Sequence, residues 1–507
     1  MHEHFLAPPE NRSKAGKLIE RLVLCFFAAM NLTIVYLALT NSFRGWLPSK
    51  YVWMAIYVSA AVLGCRLITR MKASPARVLW AIMFLSLAVR VFFVAAIPTE
   101  PDSDFFLMYE AARSAAAGDF SWTHDQQAYG AYFYRWGYQI PFVLYEAAVL
   151  RLFRSIMALK LFNVLFMVGA NYLLYRIGKL YLTETAALCV VLLYAVVPDS
   201  LFYTTVLTNQ HIALFFLLLG VLLLLRAKRW REFVLAGISL AASDLMRPEA
   251  VVILAACLCC GALRCIQSPS LAALRRVVPA LVSVLVCYWL IKRLTEGLLV
   301  WTDLAPYGIQ NRAPEWKFVL GLGNVEGYGM YSTAHEDILM MDSAQRRAVT
   351  AELIQDLFRR PMPEIFDFFV GKLRVFWSSR ETFFWAFFGT DMNHSILPGL
   401  GLPLSSVSNL EWCGAGMQTL IYLLALPAPV LLWNSDKKRG GERLFFVVVM
   451  CGIICVFLLI EIQSRYRLFA DPFWLLIDGV TIERLTLFKF PSRWHPGPRA
   501  PSKENDA

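Results

Sequence analysis

Asp102 and Asp104 follow an apolar stretch of about Val78 to Ile97, in the turn Pro101-Asp102-Ser103-Asp104-Phe105. Charge against a bilayer is costly and usually functional. A carboxylate at that position can act as general base toward a hydroxyl that approaches along the lipid surface. Further polar residues border or interrupt other apolar stretches: Asn209-Gln210-His211, Arg247, Lys372 with Arg374, and Gln463-Ser464-Arg465-Tyr466-Arg467. Arg and Lys can bind and stabilise a phosphate leaving group, Arg often through two hydrogen bonds. Phosphate leaves without taking a proton, so its displacement needs a base and cations but no matched acid.

These groups must be positioned by membrane helices. Of the 507 residues, 58% are hydrophobic and 17% charged, against about a quarter charged in a soluble chain. Mean hydropathy is +0.53. Continuous apolar runs of roughly 15 to 20 residues predict an all-α polytopic membrane protein of about 12 transmembrane helices. Their continuity excludes the period-two alternation of an outer-membrane barrel. The spans fall at roughly 22–40, 51–69, 78–97, 160–177, 186–204, 209–225, 232–246, 249–264, 278–298, 413–433, 444–462 and 468–483. One transmembrane domain is expected over 1–483, including outer loops 99–159 and 299–412, with a cytoplasmic tail at 484–507. The polar start of the chain lacks a small-residue cleavage site, which predicts a retained anchor in place of a removable signal peptide.

The net charge of +11 comes from short Lys/Arg clusters, so it reads as a topology signal and not as a nucleic-acid surface. Clusters at Arg12 to Arg21, Arg66 to Arg77, Arg226 to Arg231, Arg264 to Arg276, Lys437 to Arg443 and Lys489 to Lys503 assign one side as cytoplasmic. All the polar features above then fall on the opposite side. Tyr138 to Phe153 is apolar enough to cross, but a crossing there would invert every later cluster, so it reads as a helix along the outer interface. Arg247-Pro248 splits Leu235 to Leu263 into two short helices, because proline removes an amide donor and disfavours helix at the residue before it. The 299–412 loop is too long for a plain connector. Amphipathic helices are expected in it at about Ser343 to Phe358 and Ile365 to Trp377.

Other signals are weaker. Most of the 11 Cys lie in apolar runs without zinc or disulfide spacing and read as packing residues. His335-Glu336-Asp337 and His124-Asp125 look metal-like, yet adjacent side chains rarely all face one ion, so no metal site is assigned; no cofactor is certain, and a divalent metal is possible but not indicated. The glycines between Gly321 and Gly329 lack the Gly-Lys-Ser/Thr ending of a phosphate-binding loop.

The order of these motifs resembles the GT-C superfamily of membrane glycosyltransferases, in particular the protein O-mannosyltransferase and lipid A aminoarabinose transferase type. The resemblance rests on Pro101-Asp102-Ser103-Asp104-Phe105 with Ala111 and Gly118, then Pro198, Arg247-Pro248 behind Gly237, and Gln463-Ser464-Arg465-Tyr466-Arg467 with Pro472. It implies a polyprenyl-phosphate-linked sugar donor and a glycolipid, glycan or protein acceptor. It implies Asp104 as the catalytic carboxylate, with Asp102 as alternative or partner, and Arg247, Arg465, Arg467 and Lys372 at the donor phosphate. Tyr466, Gln463, Asn209 and His211 are possible substrate-binding residues. The family often has a Glu in the second outer turn where this chain has Asn209-Gln210, a departure from its pattern. The expected location is a bacterial cytoplasmic membrane with the site on the extracytoplasmic side. Two other functions fit the same residues: a lipid-linked sugar flippase or transporter, and an O-antigen-type ligase or polymerase with a lipid-diphosphate donor.

Overall fold

The computed structural model describes residues 12–42, 48–127, 130–378, 381–387, 390, 405–433 and 440–487. Helices dominate, and among the described residues the sole β-type pairing is an isolated bridge of Trp136 with Asn311. Three long helices come first: α1 (Lys14–Ser42), α2 (Pro48–Arg70) and α3 (Pro75–Ala96). The first loop holds α4 (Asp104–Ala117), α5 (Gly130–Arg135) and α6 (Ile140–Phe153). Next come α7 (Ile156–Gly178), α8 (Glu184–Ala195), α9 (Pro198–Tyr203), α10 (Gln210–Arg226), α11 (Trp230–Met246), α12 (Ala250–Gln267) and α13 (Leu271–Trp301). The second loop carries α14 (Ser343–Arg359), α15 (Met362–Ser378) and α16 (Glu381–Phe387). The chain closes through α17 (Ser405–Ala425), α18 (Ala428–Trp433), α19 (Gly440–Leu459) and α20 (Asp471–Leu487). The expected tail falls largely outside the described residues, as do Lys437 to Lys438 and the Lys489 to Lys503 cluster.

Among the described residues, seven helices are long and apolar enough to cross a membrane, and three more are apolar but shorter. The expected count of twelve is therefore not reproduced by helix length and composition. The cause is local. Pro198 cuts the expected 186–204 span into α8 and α9, and α10 and α11 have 17 residues each. Such a helix rises about 26 Å, short of the roughly 30 Å hydrocarbon layer.

The contacts define two ends. At one, Ser13 donates its backbone N–H to the Gln267 carbonyl at 2.9 Å. Arg443 Nη2 pairs with Glu483 at 2.6 Å there, and Glu483 also accepts from the Thr183 N–H at 2.7 Å. At the other end, Lys160 Nζ donates to the Thr99 carbonyl at 2.5 Å, and Thr99 and Thr205 share a 2.7 Å hydroxyl bond. α6 begins after Gln139, which accepts from Asn209 Nδ2 at 3.0 Å, and leads through Arg154 directly into α7. Both ends of α6 thus lie at the same end of the bundle. It packs on α4 instead of running between the two ends.

Both helix breaks are held by buried polar side chains. Arg90, fully buried in α3, donates to Ser86 Oγ at 2.6 Å, the Ala195 carbonyl at 3.3 Å and Ser200 Oγ at 3.0 Å. It thereby ties α3 across the α8–α9 break. Asp244 does the equivalent for α11–α12: it accepts from the Ala250 N–H at 3.2 Å, Tyr288 at 2.5 Å and Lys292 at 2.6 Å. An unpaired amide at the start of α12 and two polar groups of α13 are satisfied by one carboxylate.

The turn Ser464–Phe469 is locked onto α9 in the same way. Arg467 Nη2 donates to Asp199 at 2.9 Å and Nη1 to the Trp377 carbonyl at 3.0 Å. Removing one partner of a buried ion pair leaves an uncompensated charge, at about 3–5 kcal/mol. Arg467→Met should therefore lower the thermal unfolding midpoint in detergent sharply. Adding Asp199→Asn should restore part of the loss, and a double variant no more stable than the single would contradict this coupling.

Candidate active site

Asp104 is the first residue of α4, where the helix dipole favours an anion. The preceding Ser103 has φ 53° and ψ −131°, a conformation that non-glycine residues rarely adopt, and its side chain makes no capping hydrogen bond. Strain of this kind, about 1–3 kcal/mol, persists where surrounding structure enforces it and clusters at functional sites. The turn does not use Asp104 to close itself. Among the described residues, the Asp104 carboxylate takes part in no hydrogen bond and no ion pair.

Asp104 faces a cavity of about 800 Å³. Its wall draws on α4, α5, the Gly137–Gln139 turn, the 316–340 segment, α16 and the 461–466 segment. Aromatic rings predominate, including Tyr132, Trp136, Tyr138, Trp316, Tyr331, Trp385 and Tyr466, with charged groups set between them. Burial pushes the Tyr132 and Tyr138 hydroxyls up from their ordinary values, so both stay neutral donors.

Opposite in charge to Asp104 stands Arg465, 6% exposed and also in the cavity wall. Its guanidinium lies 4.3 Å from the Trp385 ring centroid, 4.8 Å from Phe105 and 5.7 Å from Tyr466. Cation–π contacts hold it without neutralising it. Its Nε and Nη1 have no hydrogen-bond partner among the described residues. A buried, unpaired guanidinium costs stability unless an anion completes it.

The remaining expected residues separate into those near the cavity and those committed elsewhere. Gln463 and Tyr466 line it. Arg247 sits one layer behind, over the Tyr466 ring at 4.9 Å, bonded to Glu249 at 3.1 Å and to Asn209 Oδ1 at 3.2 Å. Asn209 in turn holds Gln139, a wall residue. Asp102 does not line the cavity. His211 is buried with its ring 5.6 Å from Tyr203. Arg467 is spent on Asp199 and Trp377, as above. Lys372 is buried and donates to the Gly321 carbonyl at 2.5 Å, and burial pushes its ammonium down to about 7. The geometry thus gives Arg467 and Lys372 protein partners in place of a phosphate.

Two wall residues carried no sequence signal of their own: Lys317 and Glu461 form an ion pair across 144 positions. Glu336, which accepts from the Tyr331 hydroxyl, and Asp337, both in the metal-like run His335-Glu336-Asp337, also line the cavity. Their neighbour His335 is not in the wall. Among the described residues no three His, Cys, Asp or Glu side chains form a metal-holding group.

Lys372 and a close backbone contact fix this wall. The Glu461 N–H donates to the Lys317 carbonyl at 2.8 Å, and the Ile462 N–H to the Gly329 carbonyl at 2.9 Å. A Cβ at Gly321 would stand 2.3 Å from the Ile460 carbonyl carbon, whereas one at Gly323 would meet only the Leu353 side chain, at 3.2 Å. Gly321→Ala should force the 460–462 backbone away from the cavity, with about 1–3 kcal/mol of overpacking. Gly323→Ala should be tolerated. Thermal unfolding and activity of the two variants, measured side by side, check this.

The described residues form a helical membrane chain with a polar, aromatic-walled cavity at one end, whose wall holds the Asp104 carboxylate and the Arg465 guanidinium. Residues 141–296 match the dolichyl-phosphate-mannose-protein mannosyltransferase family, which belongs to the GT-C superfamily. The match supports a membrane glycosyltransferase of GT-C type that uses polyprenyl-phosphate sugar donors. It covers α6 to most of α13, hence both helix breaks and Arg247, while Asp104 and Arg465 lie to either side of it. No curated protein matches the chain.

Proposed function

We propose that this protein transfers a sugar from a polyprenyl-phosphate donor to an acceptor hydroxyl on the extracytoplasmic face, in one inverting step. The observation that carries the reading is the placement of two groups in the wall of one cavity: the partly exposed Asp104 carboxylate, with no hydrogen bond or ion pair among the described residues, and the buried Arg465 guanidinium, with two unpartnered nitrogens. Asp104 takes the proton of the acceptor hydroxyl as its oxygen attacks the anomeric carbon. The bond from that carbon to the phosphate oxygen breaks on the opposite side, and its electron pair leaves with the lipid phosphate. Arg465 stabilises the charge that develops there, and Arg247 supports the Tyr466 ring from behind. Stabilising a leaving charge by preorganised donors in a dry site is usually the largest catalytic term.

The local charge supports a monophosphate donor. Arg247 has Glu249 and Lys317 has Glu461 as counter-ions, so of the three cations over the Tyr466 ring Arg465 is the one without an ion-pair partner among the described residues. Its positive charge suits the single negative charge of a sugar-phosphate diester. The side assignment is supported by Arg12, Arg264 and Arg443, which gather at the end of the bundle away from the cavity.

The test is release of polyprenyl phosphate from a labelled lipid-linked sugar by purified protein. Release with transfer of label to an acceptor is the expected result. A donor that is moved across vesicles but left intact would identify a transporter, and strict dependence on a lipid diphosphate would identify a ligase or polymerase.

A further inference from the structure

Lys317, Glu461 and Gln463 have no part in the steps above, yet all three line the cavity. They form one polar chain. Lys317 pairs with Glu461, and Gln463 Nε2 donates to the other Glu461 oxygen at 2.5 Å. Glu461 is nearly closed off, with 2% of its side chain exposed, whereas Lys317 shows 38% of its side chain. Gln463 is 9% exposed, and its amide oxygen, itself buried, has no hydrogen-bond partner among the described residues. The chain therefore presents spare ammonium N–H donors at one end and an unsatisfied carbonyl acceptor at the other. Burial alone would lower Lys317, but the Glu461 carboxylate outweighs it and keeps the ammonium charged. The three side chains together are electrically neutral, unlike Arg465. They sit around Tyr466, whose ring lies 5.9 Å from the Lys317 ammonium and 5.7 Å from the Arg465 guanidinium.

We propose that Lys317, Glu461 and Gln463 form the donor-sugar subsite, which selects an uncharged sugar by hydrogen bonds to adjacent hydroxyls. The inference rests on the sugar-transfer reading above. A hydroxyl both gives and accepts a hydrogen bond, so two neighbouring hydroxyls match a surface that offers donors beside an acceptor. Polar groups built to bond a substrate hydroxyl reject a ligand that leaves them unpaired and buried. The neutral sum of the subsite favours an uncharged sugar over a uronic acid or amino sugar. The aromatic rings beside it suit the apolar face of a pyranose or furanose. Lys317 and Gln463 would touch the sugar. Glu461 is a positioning residue that orients Lys317 and sets the charge balance.

The test uses lipid that stays bound to the full-length protein. Asp104→Asn protein, blocked in turnover, is purified in mild detergent after incubation with a total membrane-lipid extract. Mass spectrometry then gives the ratio of glycosylated to bare polyprenyl phosphate and the charge of the sugar. Expected is a neutral sugar on the bound lipid. Adding Lys317→Met or Glu461→Gln should lower the glycosylated-to-bare ratio at least tenfold while bare polyprenyl phosphate stays bound. Gln463→Leu provides a third variant should Glu461→Gln fail to fold. A charged sugar on the bound lipid, or an unchanged ratio in the folded variants, overturns the subsite and leaves the transferase reading intact. Absence of any polyprenyl phosphate from the parent protein brings down both.

Discussion

Asp104→Asn should reduce sugar transfer by about 10²–10⁴-fold, the range a general base supplies, while the purified protein keeps its thermal unfolding midpoint. The side chain makes no hydrogen bond or ion pair among the described residues, so replacing one carboxylate oxygen by an amide removes no structural bond. The amide cannot accept the acceptor proton at neutral pH, and the loss should appear in kcat more than in donor KM. Asp102→Asn is the internal control. It keeps the charge change and sequence neighbourhood but acts on a side chain outside the cavity wall, so near-normal turnover is expected. If Asp104→Asn and Asp102→Asn both turn over at the parental rate, the base is elsewhere and the mechanism fails.

Much of this arrangement was legible in the residues themselves. Proline after Arg247 forced a break that the structure places at Arg247–Glu249, between α11 and α12. The amphipathic segments expected at Ser343 to Phe358 and Ile365 to Trp377 are α14 and α15. Helical period, turn chemistry and cation clusters are local properties, so a single chain displays them. What the residues could not display is which polar groups satisfy one another. Arg465 and Arg467 are two positions apart and chemically identical in sequence. Only the folded chain turns one toward Asp199, 268 positions away, and leaves the other unpaired among rings. The Lys317–Glu461 pair was hidden for the same reason, and Lys372, expected at the donor phosphate, is instead closed in by its contact with the Gly321 carbonyl. Pro198 carries a local signal for the α8–α9 break, but the apolar run on both sides of it masks that signal.

The contrast between those two arginines gives the second large effect. Arg465→Met should cut kcat/KM for the lipid donor by roughly 10²–10⁴-fold, the equivalent of two charge-assisted hydrogen bonds to phosphate at about 1.5–3 kcal/mol each. Its unfolding midpoint should nevertheless hold or rise. The parent protein bears the desolvation of a guanidinium with two unpartnered nitrogens, and a methionine of similar length fills the space between Phe105 and Trp385 without that penalty. Arg467→Met should do the reverse and lose stability, because it strands Asp199. Higher stability together with lost turnover is the result expected of a residue kept for an anion that the chain itself does not supply. Were Arg465→Met to destabilise as much as Arg467→Met, with donor turnover unaffected, its guanidinium would be a structural clamp on the aromatic wall. The phosphate would then have to be sought at Arg247.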